Sequence, residues 1–455
     1  MVLKILGWLL VAVMATGFVL RFVRHDLSPF ILDEPQFLFT AHTQGWGSAN
    51  PLAGTQGLHY GPCYVWLEKL LQIFFGPRVE VMLFAQSLLM TASHLCLAWS
   101  LSRAFRGGLL LFGLIGALLA AGPCLFFWSR QAWDNPLTNV CVSFAIALLA
   151  APLTSVRAAL LGLLLAIAAG THLMVLPLIA LIAALLLWEG QWRRVLAGGA
   201  VALIVLAPYL MYLSRHRLPK SPPARFDLLA SLLLEPMQIF TAARASYFFD
   251  DDWARFAQGT FIPGRPIAVI LAIAAATGLV AAVREPQTRG LALLGLLFWP
   301  LYALFCASRG VELHPHYQNP SAWLLPVGIA GLFACLKSRP RALASLGSAV
   351  LIFSASQTVF LFEWLRFIES NGGTRGIHYS IPLAAQEAEA RKICAANEPL
   401  TLIENHTAIF PVSLEYLMLI EPGCAGKRVR FCRGACPQEA PVVSLDYADG
   451  SAHLR

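Results

Sequence analysis

The feature that most constrains this chain is a succession of long stretches almost free of charge. Ile5–Phe22 is the first, and others occupy 80–100, 109–128, 136–152, 195–213, 266–283, 290–308, 320–336 and 342–362. A helix needs roughly 20 mostly apolar residues to cross the hydrocarbon core of a bilayer, and these runs have that length. The stretch 157–188 is too long for one crossing, and Gly170-Thr171-His172 interrupts it near its middle, which suits two short helices joined by a tight turn. About eleven crossings are expected. No small-residue cleavage site follows the first run, which leads straight into Arg21 and Arg24, so it reads as a retained span and not a signal peptide.

Composition narrows the class further. Of 455 residues, 58% are hydrophobic and 13% charged, about half the charge of an ordinary soluble domain. A soluble enzyme, a disordered chain and a soluble nucleic-acid binder are excluded, and no nucleic-acid partner is expected. The net charge of +8 reads as topology. With the N-terminus in the cytoplasm, the inner ends hold Lys4, Arg103, Arg106, Arg157, Arg193, Arg194, Arg284, Arg289, Lys337, Arg339 and Arg341. The short outer loops then hold Arg130 and Arg309, and all nine aspartates fall outside. The expected location is the cytoplasmic (inner) membrane, crossed many times, with the C-terminal segment extracytoplasmic.

Three long outer segments remain, 23–78, 214–265 and 363–455. In the first, Pro35 suits an opening helical turn with Asp33 or Glu34 as its cap. A second helix is expected from Pro62 to Phe75, too short to span. Its Glu68, Lys69 and Gln72 share one face and apolar residues fill the rest, as in helices that lie in the membrane interface. After Glu363 the charge density rises, and Leu400–Ile403, Arg428–Phe431 and Pro441–Asp446 read as short strands. The fold class is therefore an all-α polytopic membrane protein with interfacial helices in its first outer loop and a small C-terminal α/β extracytoplasmic domain. The domains are 1–362 and 363–455. Cys394, Cys424, Cys432 and Cys436 fall in the outer domain, where disulfides form, and four cysteines allow three pairings. Zinc is the competing use of these thiols, but no paired CxxC knuckle is present.

Four constellations stand in the outer loops. Asp33-Glu34 is a pair of adjacent carboxylates near the membrane surface, suited to a general base and its partner. His59 to Pro77 combines a Tyr-Gly-Pro turn with the interfacial helix. In Trp128–Pro136, Arg130 and Asp134 stand at the membrane edge, able to pair with each other or to meet a phosphate or a sugar hydroxyl. In Ser308–Pro320, Arg309, His314, His316 and Tyr317 share one short loop. Two histidines without a third ligand nearby read as hydrogen-bonded residues, and no metal or other cofactor is expected.

Taken in order, these features resemble the GT-C superfamily of membrane glycosyltransferases, in the bacterial branch related to protein O-mannosyltransferases and the lipid A aminoarabinose transferase. The likeness covers residues 1–362. It rests on Asp33-Glu34 after the first span, Gly61-Pro62 with Tyr64 to Phe75, the Arg130-x-x-x-Asp134-x-Pro136 pattern, and His316-Tyr317 before a span containing Pro326. Relatives often carry a double proline where this chain has His-Tyr-Gly-Pro, and a basic residue where it has His316.

The resemblance implies transfer of a sugar from a polyprenyl-phosphate donor, with inversion, to a hydroxyl or amine acceptor at the outer face. Asp33 would be the base and Glu34 would orient the acceptor. Arg130, Lys69, Arg309 and His316 would face the donor phosphate, with Asp134 and Tyr317 beside them. The expected partners are that donor and the surrounding membrane lipids. The main alternative is a transporter or flippase of lipid-linked saccharides. Transporters place ionisable groups within spans, and here His94 is the main one. An oligosaccharide ligase or polymerase also uses such donors, but without the early acidic pair.

Overall fold

The computed structural model describes residues 1–30, 33–44, 61–215, 229–249, 252–258, 265–308, 315–374, 381–395, 400–404, 412–424, 429–433, 442–446 and 451–454. Among these, five helices are long and apolar enough to cross a membrane: α1 (Val2–Leu20), α4 (Val79–Ala104), α10 (Trp192–Arg215), α15 (Arg289–Ser308) and α17 (Pro340–Asn371). The chain is a multi-pass membrane protein.

The other expected crossings are also helical but shorter or broken. The run 109–128 divides into α5 (Gly108–Ala121) and α6 (Pro123–Ser129), bent by 67°. Pro123 is the cause: it has no N–H to continue the ladder and pushes Gly122 into extended backbone, φ −62° and ψ 117°. A 3₁₀ segment, Pro315–Ser321, meets α16 (Leu324–Leu336) at 46°. Counting each bent pair as one crossing gives up to seven. Four shorter apolar helices complete the set: α7 (Asp134–Leu149), α8 (Ser155–Ala169), α9 (Leu176–Trp188, extended by a 3₁₀ turn from Leu173) and α14 (Arg265–Ala282). The break between α8 and α9 falls at Gly170-Thr171-His172, where the His172 ring accepts the Met174 N–H at 3.3 Å.

Small residues let these helices approach closely, the usual device where lipid removes the hydrophobic drive between helices. A Cβ on Gly278 of α14 would lie 1.8 Å from the Gly328 carbonyl oxygen of α16. Buried polar groups add a second tie. Arg21, just beyond α1, donates to the Leu119 carbonyl at 2.7 Å and to His94 Nδ1 at 3.2 Å. His94 Nε2 then lies 3.0 Å from Asn139 Oδ1. A guanidinium can only donate, so the imidazole is the neutral Nε2–H tautomer. The end of α1 is thereby joined to three further helices, α4, α5 and α7.

Between α1 and α4, helices α2 (Glu34–Thr43) and α3 (Cys63–Phe75) lie in the segment expected to be the first outer loop. Leu70, Ile73, Phe74 and Phe75 of α3 are exposed, an apolar edge suited to the interface. The start of α3 docks where α8 ends: Cys63 N–H donates to the Gly170 carbonyl at 3.1 Å, and a Cβ on Gly61 would meet that oxygen at 1.9 Å. In the second outer segment, α11 (Leu229–Gln238) leads to short helices α12 (Ser246–Phe249) and α13 (Trp253–Ala257). Phe248, Phe249 and Phe256 of these pack with Phe127 of α6 around Trp364 of α17.

The boundary expected at 362/363 falls within α17, which continues to Asn371 and ends on Gly372 in the left-handed region, φ 67°. Beyond it lie α18 (Leu383–Ala395), α19 (Val412–Ile420) and strands β1 (Leu400–Glu404), β2 (Val429–Arg433), β3 (Val442–Asp446) and β4 (Ser451–Leu454), in sheet order β2-β1-β3-β4. The β1 strand pairs in parallel with β2 and β3, and β4 closes antiparallel on β3. A disulfide joins Cys394 to Cys424. The side chains of Cys432 and Cys436 lie outside the described residues.

Gly278→Val is expected to force α14 and α16 apart, lowering stability by about 1–3 kcal/mol. Thermal unfolding of the detergent-solubilised chain would show this as a reduced midpoint, and an unchanged midpoint would contradict the close packing.

Candidate active site

Four carboxylates gather at one end of the bundle, close enough to feel one another's charges. Asp33 and Glu34 open α2, Glu68 lies on the face of α3 turned to α2, and Asp134 opens α7. All are 6% exposed or less. Asp33 occupies the cap position of α2 but makes no capping hydrogen bond from its side chain, correcting that part of the expectation. Asp134 Oδ1 accepts from the backbone and side chain of Asn135, at 2.8 and 3.0 Å. The fully buried Tyr64 of α3 feels the charges of Glu68, Glu34 and Asp134, and its phenol is driven up first by burial and then by them. Its ring meets Phe37 of α2 edge-on at 5.2 Å.

So much carboxylate out of water changes its acidity. Burial lifts the Glu34 carboxyl well above the usual range; the Asp33 charge adds to this, the Ala132 N–H donated to Glu34 opposes it, and Glu68 adds a further push. Burial also lifts Glu68 to about 7, against the pull of the Tyr64 hydroxyl beside it. A buried cluster of carboxylates whose ionisation burial opposes marks a candidate site for proton transfer.

The expected cations Arg130 and Lys69 have partners of their own, on backbone carbonyls. Arg130 reaches the end of α1, donating to the carbonyls of Leu20 at 3.2 Å and Arg21 at 3.4 Å, and to those of Val23 and Arg24. Its guanidinium also lies over the Phe126 ring at 5.2 Å. His25, just past α1, is lowered to about 4, first by burial and then by the Arg130 charge. Lys69 Nζ donates to the Ala41 carbonyl at 2.9 Å and to that of Gln44, closing the C-terminal end of α2. Both cations meet the negative ends of helix dipoles.

The late loop joins the same region through aromatic contacts. The His316 ring packs 4.7 Å from Trp133, the residue before Asp134, and 4.2 Å from Tyr317. Its Nδ1 lies 3.3 Å from the Tyr247 hydroxyl. Tyr317 lies 5.9 Å from His172, and its carbonyl accepts from the Tyr302 hydroxyl. Arg309 and His314 lie outside the described residues. Among the described residues no group of three or more His, Cys, Asp or Glu side chains is arranged to hold a metal ion.

Sequence reasoning placed Glu68 on the polar face of α3 without giving it a site role, and it passed over Tyr64, Tyr247 and the ring of His172. The available signal for Glu68 was a lone acid in an otherwise apolar helix. The others join through tertiary contact.

No protein-family profile and no curated protein matches the chain. Solved structures do. ArnT from Cupriavidus metallidurans bound to undecaprenyl phosphate is similar at a TM-score of 0.53 and 15% identity, over 93% of this chain and 90% of ArnT. The apo form of the same protein gives 0.57 and 14%, over 93% and 89%. The fold of this chain is thus similar to that of ArnT over nearly its whole length.

Proposed function

We propose that the chain transfers a sugar from a polyprenyl-phosphate donor to a hydroxyl or amine acceptor at the outer face of the inner membrane, with inversion at the anomeric carbon. The observation that carries this reading is the buried carboxylate cluster at the bundle's end, beside an amphipathic helix with an exposed apolar edge. A polyprenyl donor cannot leave the bilayer, so its reactive carbon must lie at the membrane surface, and a cluster at the end of the bundle suits that need. The similar ArnT fold was solved with undecaprenyl phosphate bound, which supports a lipid phosphate as donor.

In this reading the acceptor oxygen or nitrogen attacks the anomeric carbon, the bond to the donor phosphate breaks, and the acceptor proton passes to Asp33. Glu34, whose ionisation burial opposes, orients the acceptor, and Glu68 sets the charge of the pocket. The departing polyprenyl phosphate is already a stable anion, so it needs nearby positive charge more than a proton. Arg130 and Lys69 contribute their field, having much of their donor capacity on helix-end carbonyls. Arg309 and His316 supply direct contact, and Asp134 and Tyr317 line the sugar. The N-terminus lies in the cytoplasm and the 363–455 segment outside. No cofactor is required by this chemistry.

Transport of a lipid-linked saccharide would call for ionisable groups lining a path through the spans. The buried Arg21 and His94 bond to each other and to Leu119 and Asn139 instead, as a structural tie does.

Asp33→Asn is expected to abolish transfer while the protein still inserts and folds, measured as turnover and thermal midpoint of the purified variant. Normal turnover would remove Asp33 from the role of base. Glu68→Gln separates stability from activity. With a carboxyl at about 7 in the folded chain against 4.5 ordinarily, the folded state holds the extra proton between these values. Stability therefore falls as pH rises from about 4.5 to 7, then levels off. The glutamine variant should lose that slope and gain about 1–3 kcal/mol at pH 8, with slower turnover. No gain at pH 8 would contradict the burial of this charge.

A further inference from the structure

The C-terminal segment packs on the first outer loop at the point where that loop carries the carboxylates. The Leu383 N–H donates to the Ser28 carbonyl at 2.9 Å, and Pro29 bridges antiparallel to Pro382. Ser28 and Pro29 lie only a few residues before Asp33. A second apolar core, distinct from that of the bundle, joins Phe30 and Leu38 of this loop and Met82 and Leu83 of α4 to Leu383, Leu414 and Tyr416.

Tyr416 is the side chain that reaches furthest into the site's support. Its ring lies 5.9 Å from Phe30. Its hydroxyl donates to the Pro77 carbonyl at 2.9 Å and accepts from Gln72 Nε2 at 3.4 Å. The same Gln72 amide donates to the Leu38 carbonyl at 3.1 Å. Gln72 stands one helical turn from Glu68 and so shares its face of α3. The hydroxyl thereby links α19 to the C-terminal end of α3, whose Gln72 in turn bonds α2. The disulfide between Cys394 and Cys424, Cα atoms 4.8 Å apart, fastens α18 to the turn that follows α19.

We propose that Tyr416, delivered by the disulfide-closed α18–α19 unit, is a positioning residue that sets α3, and with it Glu68, against α2. The inference rests on the transferase reading for its effect on turnover, but not for its effect on structure. It makes the C-terminal segment part of the site's construction, and it predicts that reducing one remote disulfide loosens the carboxylate cluster.

The test uses the full chain in lipid nanodiscs. Tyr416→Phe keeps the ring and removes only the hydroxyl. Amide hydrogen exchange across 63–77 should quicken by about tenfold, with the global unfolding midpoint near that of wild type. Turnover should show a kcat lowered about tenfold with the donor KM within about twofold, because misplacing a reacting group acts on the chemical step. Cys394→Ser with Cys424→Ser gives an independent route, and the same peptides should exchange faster there. Wild-type exchange at 63–77 in both variants overturns the proposal, as does faster exchange with an unchanged kcat. If the wild-type chain itself transfers no sugar from any polyprenyl-phosphate donor, the transferase reading falls, and exchange alone decides the positioning role.

Discussion

The guanidinium of Arg130 holds the carbonyl oxygens with which α1 ends, and much of the outer face depends on that grip. A helix end leaves its last carbonyls short of partners, and a carbonyl buried away from water without one is expensive. Arg130 answers those of Leu20, Arg21, Val23 and Arg24 together. Ser87 of α4 ties the same place by donating to the carbonyls of Arg21 and Ser129. The exit of the chain from the first span is thereby fixed, and the short path to Asp33 starts from a rigid point. Lys69 repeats the device at the end of α2. Each of these long side chains is held in place by backbone carbonyls.

That placement bears on the chemistry. Four carboxylates out of water repel one another, and burial opposes their ionisation. A fold that only needed stability would replace Glu68 with an apolar residue of similar size. In the proposed reading, its burial favours a group that titrates near neutral pH at a cost in stability. The aromatic ring of Trp133 against His316 joins the α6–α7 turn to the late loop, so two loops distant in sequence form one wall. The C-terminal segment adds Tyr416 to the support of α3.

How much of this was legible in the sequence differs by the kind of interaction. The apolar runs coincide with helices because length and hydropathy report directly on the solvent a segment meets. The bend at Gly122 and Pro123 is written in two residues, yet its 67° angle comes from the packing of α6. Asp33-Glu34 stood out because acids after a span are conspicuous. Glu68 was visible as a polar face, but a face does not say what it meets. The partners of Arg130 and Lys69 were beyond reach for a plain reason: they are backbone carbonyls, which carry no residue letter. Spacing suggested that Arg130 could pair with Asp134, whereas the fold turns it toward the end of α1. Four outer cysteines left three pairings open, and tertiary proximity selects Cys394 with Cys424.

The central claim is that the buried carboxylates serve transfer of a sugar from a polyprenyl phosphate. It is tested most directly by mass spectrometry of lipid-linked sugars and surface glycans in cells with and without the chain. The account predicts that one polyprenyl-phosphate sugar accumulates when the chain is absent, while one class of glycan or glycolipid loses the same sugar. Unchanged pools of both donor and product would contradict it.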